Sequence, residues 1–138
     1  MLKTYIVEDS PVIREDLIAT LEELTTVKVI GCAEDEATAV LWLKRPDAKI
    51  DLLIIDIFLK GGSGLGVLRA AHGLLGTQTC LVVLSNYATP DMRRRCMALG
   101  AARVFDKSNE IDALIQYCAR LAAVQAGEAA PSNLGEFT

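Results

Sequence analysis

The chain has 138 residues, enough for one domain with a sizeable core and too few for a comparable second one. Hydrophobic residues at 51% against 23% charged exclude disorder over most of the length, and aromatics at 5% leave the core to Leu, Ile, Val and Ala. Lys and Arg number 14 against 18 Asp and Glu, and the net charge of −4 argues against broad electrostatic binding to nucleic acid or anionic membranes.

No apolar run reaches the ~18 residues of a membrane span. The segment Met1 to Tyr5 lacks the apolar stretch and cleavage site of a signal peptide, so a cytoplasmic location is expected. The cysteines stand at 32, 80, 96 and 118, none in a Cys-x-x-Cys pair, and the single histidine is His72. The cysteines read as small apolar fillers in a reducing compartment, not as a zinc site.

Short apolar runs alternate with segments of helical period. Residues 4–7 predict a first strand that ends at Glu8-Asp9. Ser10-Pro11 then supplies an N-cap and a first-turn proline, and Ile13, Leu17, Leu21 and Leu24 follow at helical spacing. Residues 27–33 predict a second strand, and 35–44 a second helix stopped by Pro46. The run 52–55 (Leu-Leu-Ile-Ile) predicts a third strand closed by Asp56. Gly61, Gly62, Gly64 and Gly66 then predict a flexible loop, before Leu65, Leu68, Ala71 and Leu75 mark a third helix. Residues 80–84 predict a fourth strand ending at Ser85. Thr89-Pro90 repeats the cap-then-proline start, and that helix is stopped by Gly100. Residues 102–105 predict a fifth strand ending at Asp106-Lys107. Ile111, Leu114, Ile115, Cys118 and Leu121 mark a last amphipathic helix.

A βα unit repeated five times, with third and fourth strands apolar throughout, predicts a doubly wound parallel sheet covered on both faces. The flavodoxin-like strand order 2-1-3-4-5 is expected. Residues 1–125 form the expected domain and 126–138 a flexible tail.

In such a sheet ligands bind outside the carboxyl ends of the strands. Those ends carry Glu8-Asp9, Asp56, Ser85 and Asp106-Lys107. Crowded carboxylates repel unless a cation intervenes, and Mg2+ wants about six hard oxygens. Asp9 and Asp56 suit direct ligation, with a backbone carbonyl after Asp56, that of Phe58, as a further ligand and Glu8 in support. A lysine and a hydroxyl beside this group make a site for a phosphoryl group, with Asp56 placed as its acceptor. Taken singly, an Asp after a strand is a turn former, Glu8-Asp9 favours a helix start, Ser85 is a loop hydroxyl and Lys107 a solvated charge. It is the combination, on four different strands, that points to chemistry.

On Glu8-Asp9, Leu-Leu-Ile-Ile-Asp56, Leu-Val-Val-Leu-Ser85 and Val-Phe-Asp-Lys107, the chain resembles a response regulator receiver domain over residues 2 to about 125. The resemblance implies that a histidine kinase or histidine phosphotransfer protein phosphorylates Asp56. It also implies that the acidic residues hold Mg2+, and that Ser85 and Lys107 contact the phosphate. Two positions depart from the family pattern. Lys60 stands where proline is usual. Val104 stands where a switch aromatic is usual, and Phe105 is expected on the opposite strand face. Tyr87 is the nearer substitute, so Phe58, Asn86, Tyr87 and Val104 are the residues expected to tune switching and dephosphorylation.

The glycine run fits neither a dinucleotide fingerprint nor a P-loop. Arg93-Arg94-Arg95 reads as a solvated face or a partner-binding patch on the fourth helix, His72 as a helix-surface residue and Trp42 as partly buried packing. The expectation is a stand-alone signalling module with an unknown downstream protein target and no catalysis beyond its own phosphorylation and dephosphorylation. The alternatives are a phosphorylation-independent interaction module and a Mg2+-dependent phosphatase with an aspartyl nucleophile. The second of these needs an acid two residues after Asp56, where Phe58 stands.

Overall fold

The computed structural model describes residues 1–127, so the tail expected over 126–138 lies outside the described residues from 128 onward. The elements are β1 (Leu2–Val7), α1 (Pro11–Leu24), β2 (Val27–Ala33), α2 (Glu36–Leu43), β3 (Leu52–Ile55), α3 (Gly64–Leu75), β4 (Cys80–Ser85), α4 (Pro90–Ala98), β5 (Arg103–Asp106) and α5 (Ile111–Gln125), with a 3-10 turn at Gly76–Gln78. Every pairing is parallel, and the five strands lie in the order β2-β1-β3-β4-β5, the flavodoxin-like arrangement.

The helix starts follow from local chemistry. Ser10 Oγ accepts the Ile13 N–H at 3.3 Å ahead of Pro11, and Thr89 Oγ1 accepts the Met92 N–H at 3.1 Å ahead of Pro90. Asp35 is the N-cap of α2, accepting from Thr38 N–H at 2.8 Å, so α2 begins one residue later than the sequence pattern suggests.

Side chains alternate across the sheet and build two layers. Val7, Leu53, Ile55, Val83 and Val104 pack toward α2, α3 and α4, against Ala39, Leu68 and Cys96. Ile6, Leu52, Ile54, Val82, Leu84 and Phe105 pack toward α1 and α5, against Leu17, Leu114 and Cys118. Both faces of β3 and β4 are therefore covered, which is why those strands are apolar throughout. Phe105 lies on the face opposite Val104, as alternation requires.

At the sheet edge, the β1–β2 register slips between Thr4 and Tyr5: Thr4 pairs with Val29 and Tyr5 with Gly31. Ile30 is the extra residue of this bulge and is exposed. A side chain at Gly31 would put its Cβ 2.9 Å from the Tyr5 ring, which in turn stacks on Trp42 at 4.2 Å. Glycine thus lets the ring lie flat over the strand, and Trp42 is partly buried as expected.

Three expectations need correction. The glycine run is not a free loop, because Gly64 and Gly66 lie inside α3 and the rest is tied to α2. Glu36 N–H donates to the Gly61 carbonyl at 2.9 Å, and the Glu36 carboxylate accepts the Ser63 N–H at 2.8 Å. Arg93 is not on a solvated face: it is half-buried and makes three hydrogen bonds, while Arg94 and Arg95 are exposed. Cys96 and Cys118 are buried fillers, and burial first, then the Cys80 charge, pushes the Cys118 thiol up to about 12. Cys32, however, is exposed on the edge strand.

Candidate functional site

The carboxyl ends of β1, β3, β4 and β5 meet at one edge of the sheet. Register carries them there: Val7 pairs with Ile55, Ile55 with Val83, and Ser85 with Asp106. Glu8, Asp56 and Ser85 are buried, whereas Asp9 is partly open.

Lys107 ties the edge together. Its Nζ lies 2.6 Å from Glu8 Oε1 and 2.9 Å from Asp56 Oδ2. The second Glu8 oxygen accepts the Ser10 N–H at 3.0 Å, and Asp56 Oδ1 accepts the Phe58 N–H at 3.4 Å. Burial pushes the Glu8 pKa up, and the neighbouring Asp56 charge adds to this, against hydrogen bonds from Lys107 and Ser10. For Lys107 burial works against the charge, but the hydrogen bonds and charges of Glu8 and Asp56 outweigh it and its pKa rises.

Glu8, Asp9 and Asp56 each offer a carboxylate oxygen within 4.8 Å of the others. Three carboxylates against one ammonium leave a formal charge of −3 + 1 = −2 at this edge. Hard oxygen donors, a net negative charge and a partly open Asp9 fit a divalent cation such as Mg2+. Phe58 also pairs with Ser63 in an isolated bridge within the turn that follows Asp56.

Gly64 makes this packing possible. A Cβ there would stand 2.0 Å from the Asp56 carbonyl oxygen, and the Gly64 N–H donates to the Ile57 carbonyl at 2.8 Å. The helix α3 can begin against the end of β3 only because that position has no side chain.

Ser85 is fully buried, its Oγ accepting the Tyr87 N–H at 3.0 Å and its carbonyl accepting the Lys107 N–H at 2.9 Å. Phe58 and Tyr87, 51% and 60% exposed, meet at the rim with ring centroids 4.8 Å apart and planes at 61°. Asn86 is exposed and lines, with Lys107, Ile13, Leu17 and Ile111, a cavity of about 340 Å3 between α1 and α5. Val104 is not brought to the acidic group. It is buried in the layer under α4, and Tyr87 turns toward Phe58 at the rim.

Several contributors were not among the expected residues. Arg14 donates to the Glu8 carbonyl at 2.8 Å and to Glu34 at 3.4 Å. Its position four residues after the cap is the readable signal, because helical side chains lean back over the preceding turn. Lys60 pairs with Glu34 at 2.6 Å. Arg93 donates to the carbonyls of Ala88 and Val104 at 2.9 and 2.7 Å and to Glu110 at 2.8 Å. The Lys60–Glu34 and Arg93–Glu110 contacts join residues distant in the chain, and no local spacing marks them.

Fold and site together define a flavodoxin-like α/β domain with an acidic, lysine-bridged edge. The family model of the response regulator receiver domain matches residues 4–119, and the chain belongs to that family, a component of two-component systems. Among curated proteins it is 26% identical over 102 residues to the DNA-binding transcriptional activator DevR/DosR of Mycobacterium tuberculosis, a span of 74% of this chain and 46% of that protein. It is 27% identical over 106 residues to protein-glutamate methylesterase/protein-glutamine glutaminase 5 of Myxococcus xanthus, a span of 77% of this chain and 30% of that protein. The chain thus spans less than half the length of either relative. The response regulator domain of Thermotoga maritima CheB superposes with a TM-score of 0.75 at 20% identity, covering 88% of this chain and 96% of that one, and so shares the fold. Among the described residues no helix is long and apolar enough to cross a membrane.

Proposed function

We propose that the chain is a phosphoacceptor in a two-component phosphorelay, with Asp56 accepting a phosphoryl group from a histidine kinase or histidine phosphotransfer protein. The observation that carries this is the buried Asp56 carboxylate, 2.9 Å from Lys107 Nζ, with Glu8 and Asp9 oxygens within 4.8 Å. An Asp56 oxygen attacks phosphorus, the P–N bond to the donor histidine breaks, and the ring nitrogen keeps its electron pair. Glu8, Asp9, Asp56 and the Phe58 carbonyl would hold Mg2+, which supplies positive charge against the phosphoryl oxygens when bound. Lys107 exchanges the Asp56 carboxylate for a phosphoryl oxygen, and the Ser85 hydroxyl donates to another. That draws Ser85 away from the Tyr87 N–H and moves the segment 85–90 at the start of α4. Output is then a change of protein contacts near α4, with an unidentified protein target and no nucleic acid or membrane. The net charge of −4 supports that choice. The chain does no chemistry beyond gaining and losing its own phosphoryl group.

The test is incubation with Mg2+ and a small acyl phosphate, followed by mass-spectrometric mapping. Asp56 is expected to carry the group, and Asp56→Asn is expected to lose it with an unchanged far-UV spectrum. Normal labelling of Asp56→Asn would overturn the assignment.

A further inference from the structure

Arg93 takes no part in the reaction described above, yet its guanidinium fastens three parts of the fold together. Nε donates to the Ala88 carbonyl at 2.9 Å, in the segment that follows Ser85. Nη1 donates to the Val104 carbonyl at 2.7 Å, and Nη2 to Glu110 Oε1 at 2.8 Å. The same Glu110 oxygen accepts the Asp106 N–H at 2.7 Å, and the Glu110 N–H donates to the Asp106 carbonyl at 2.8 Å. The turn from Asp106 to Glu110, which carries Lys107, is thereby closed and offers Arg93 a fixed acceptor.

The helix α4 depends on this attachment. Cys96 is its one fully buried residue among the described residues, whereas α3 and α5 bury four each. Apolar burial holds α4 less firmly than those helices, and an element with few buried contacts opens at low cost. The hydrogen bonds of a planar, always charged fork supply part of what packing does not. Val104 enters this contact by its carbonyl, so the contact does not depend on which side chain stands there.

We propose that Arg93 is a latch that holds the start of α4 against β5 and the Asp106–Glu110 turn in the unphosphorylated protein, and that phosphorylation of Asp56 must release it. The inference rests on the reading of Asp56 as the phosphoacceptor and of Ser85 as the group drawn to the phosphoryl oxygens. When Ser85 leaves the Tyr87 N–H, the segment from Asn86 to Thr89 shifts and carries the Ala88 carbonyl with it. Val104 stays in the sheet, paired with Val83. A fork with rigid donor directions cannot keep all three acceptors once one of them moves. The latch therefore opposes the phosphorylated arrangement, and Arg93 sets how readily the chain responds.

The experiment is a titration with the phosphate mimic beryllofluoride at fixed Mg2+, followed by the amide shifts of residues 85–99, together with thermal melts by circular dichroism. Arg93→Met keeps the stem and removes the fork. It is expected to lower the thermal midpoint and yet to tighten the apparent Kd for beryllofluoride about three- to tenfold, the size of one or two lost hydrogen bonds. Without the mimic, its amide shifts are expected to be displaced from those of the parent toward those of the saturated parent. Glu110→Gln, which leaves the Val104 contact in place, is expected to tighten the Kd by a smaller factor, and it decides the question if Arg93→Met does not fold. A merely structural contact would lower the midpoint without tightening the Kd. An unchanged or weaker Kd in the deciding variant would overturn the proposal. If the parent shows no beryllofluoride binding that Asp56→Asn removes, the phosphoacceptor reading fails and this inference with it. Parent binding at Asp56 with an untightened variant fails the inference alone.

Discussion

The rings of Phe58 and Tyr87 meet at the rim of the Asp56 site, centroids 4.8 Å apart and planes at 61°. They come from different loops, one two residues after Asp56 and the other two after Ser85. Loss of an aspartyl phosphate requires water to approach in line, and neither ring carries a carboxylate or amide to orient it. Aromatic pairs contribute about 0.5–1.5 kcal/mol beyond their burial, so opening this one is worth about a two- to tenfold change in rate. Phe58→Asn and Tyr87→Glu are each expected to shorten the phosphoprotein lifetime by that factor, measured as label decay at fixed Mg2+. Equal or slower decay in both variants would discard a shielding role.

Lys107 is the only cation seen to contact the two buried carboxylates among the described residues, at 2.6 Å from Glu8 and 2.9 Å from Asp56. Removing one member of a buried ionic group strands the others and costs about 3–5 kcal/mol. Lys107→Met is expected to lower the thermal midpoint at neutral pH by circular dichroism, and Mg2+ to recover part of the loss. A midpoint equal to that of the parent without Mg2+ would show that the pocket tolerates its bare carboxylates.

The Arg93 hydrogen bond, followed by the Asp106 backbone N–H, holds the Glu110 carboxyl below its ordinary range. A depressed carboxyl contributes stability above its unfolded pKa, about 4.3, and loses it as pH falls through the lower folded value. Both partners are 37% exposed, so screening limits the contribution to under about 1 kcal/mol. Urea denaturation is expected to find Glu110→Gln less stable than the parent at pH 7, with the gap closing as pH drops below about 4.3. A gap that persists unchanged in acid would place the cause elsewhere.

Gly64→Ala tests how closely α3 abuts the site. The added methyl would stand 2.0 Å from the Asp56 carbonyl, against backbone that cannot rotate away. Overpacking of this kind costs about 1–3 kcal/mol or more. The variant is expected to unfold at lower denaturant and to label poorly at Asp56, whereas Gly73→Ala, in the same helix with nothing within 4 Å, is expected to label normally and to gain about 0.5–1 kcal/mol of stability.

Much of this arrangement is readable from local pattern. Ser10-Pro11 and Thr89-Pro90 announce their helices because capping needs only neighbours in the chain. The runs 52–55 and 80–84 announce buried parallel strands because both faces must be apolar. Once the strand order is 2-1-3-4-5, Glu8, Asp56 and Lys107 must share an edge, since each follows the carboxyl end of its strand. What pattern alone does not reach is the partner of each side chain. Lys107 bridging Glu8 and Asp56, Glu34 between Arg14 and Lys60, and Arg93 reaching Val104 and Glu110 all join residues from separate segments of the fold. The glycine run reads as free chain until the Glu36 carboxylate closes on Ser63, 27 positions away. Composition and period are properties of consecutive residues, whereas these contacts depend on how the crossovers set the loops against one another, and only the folded chain decides that.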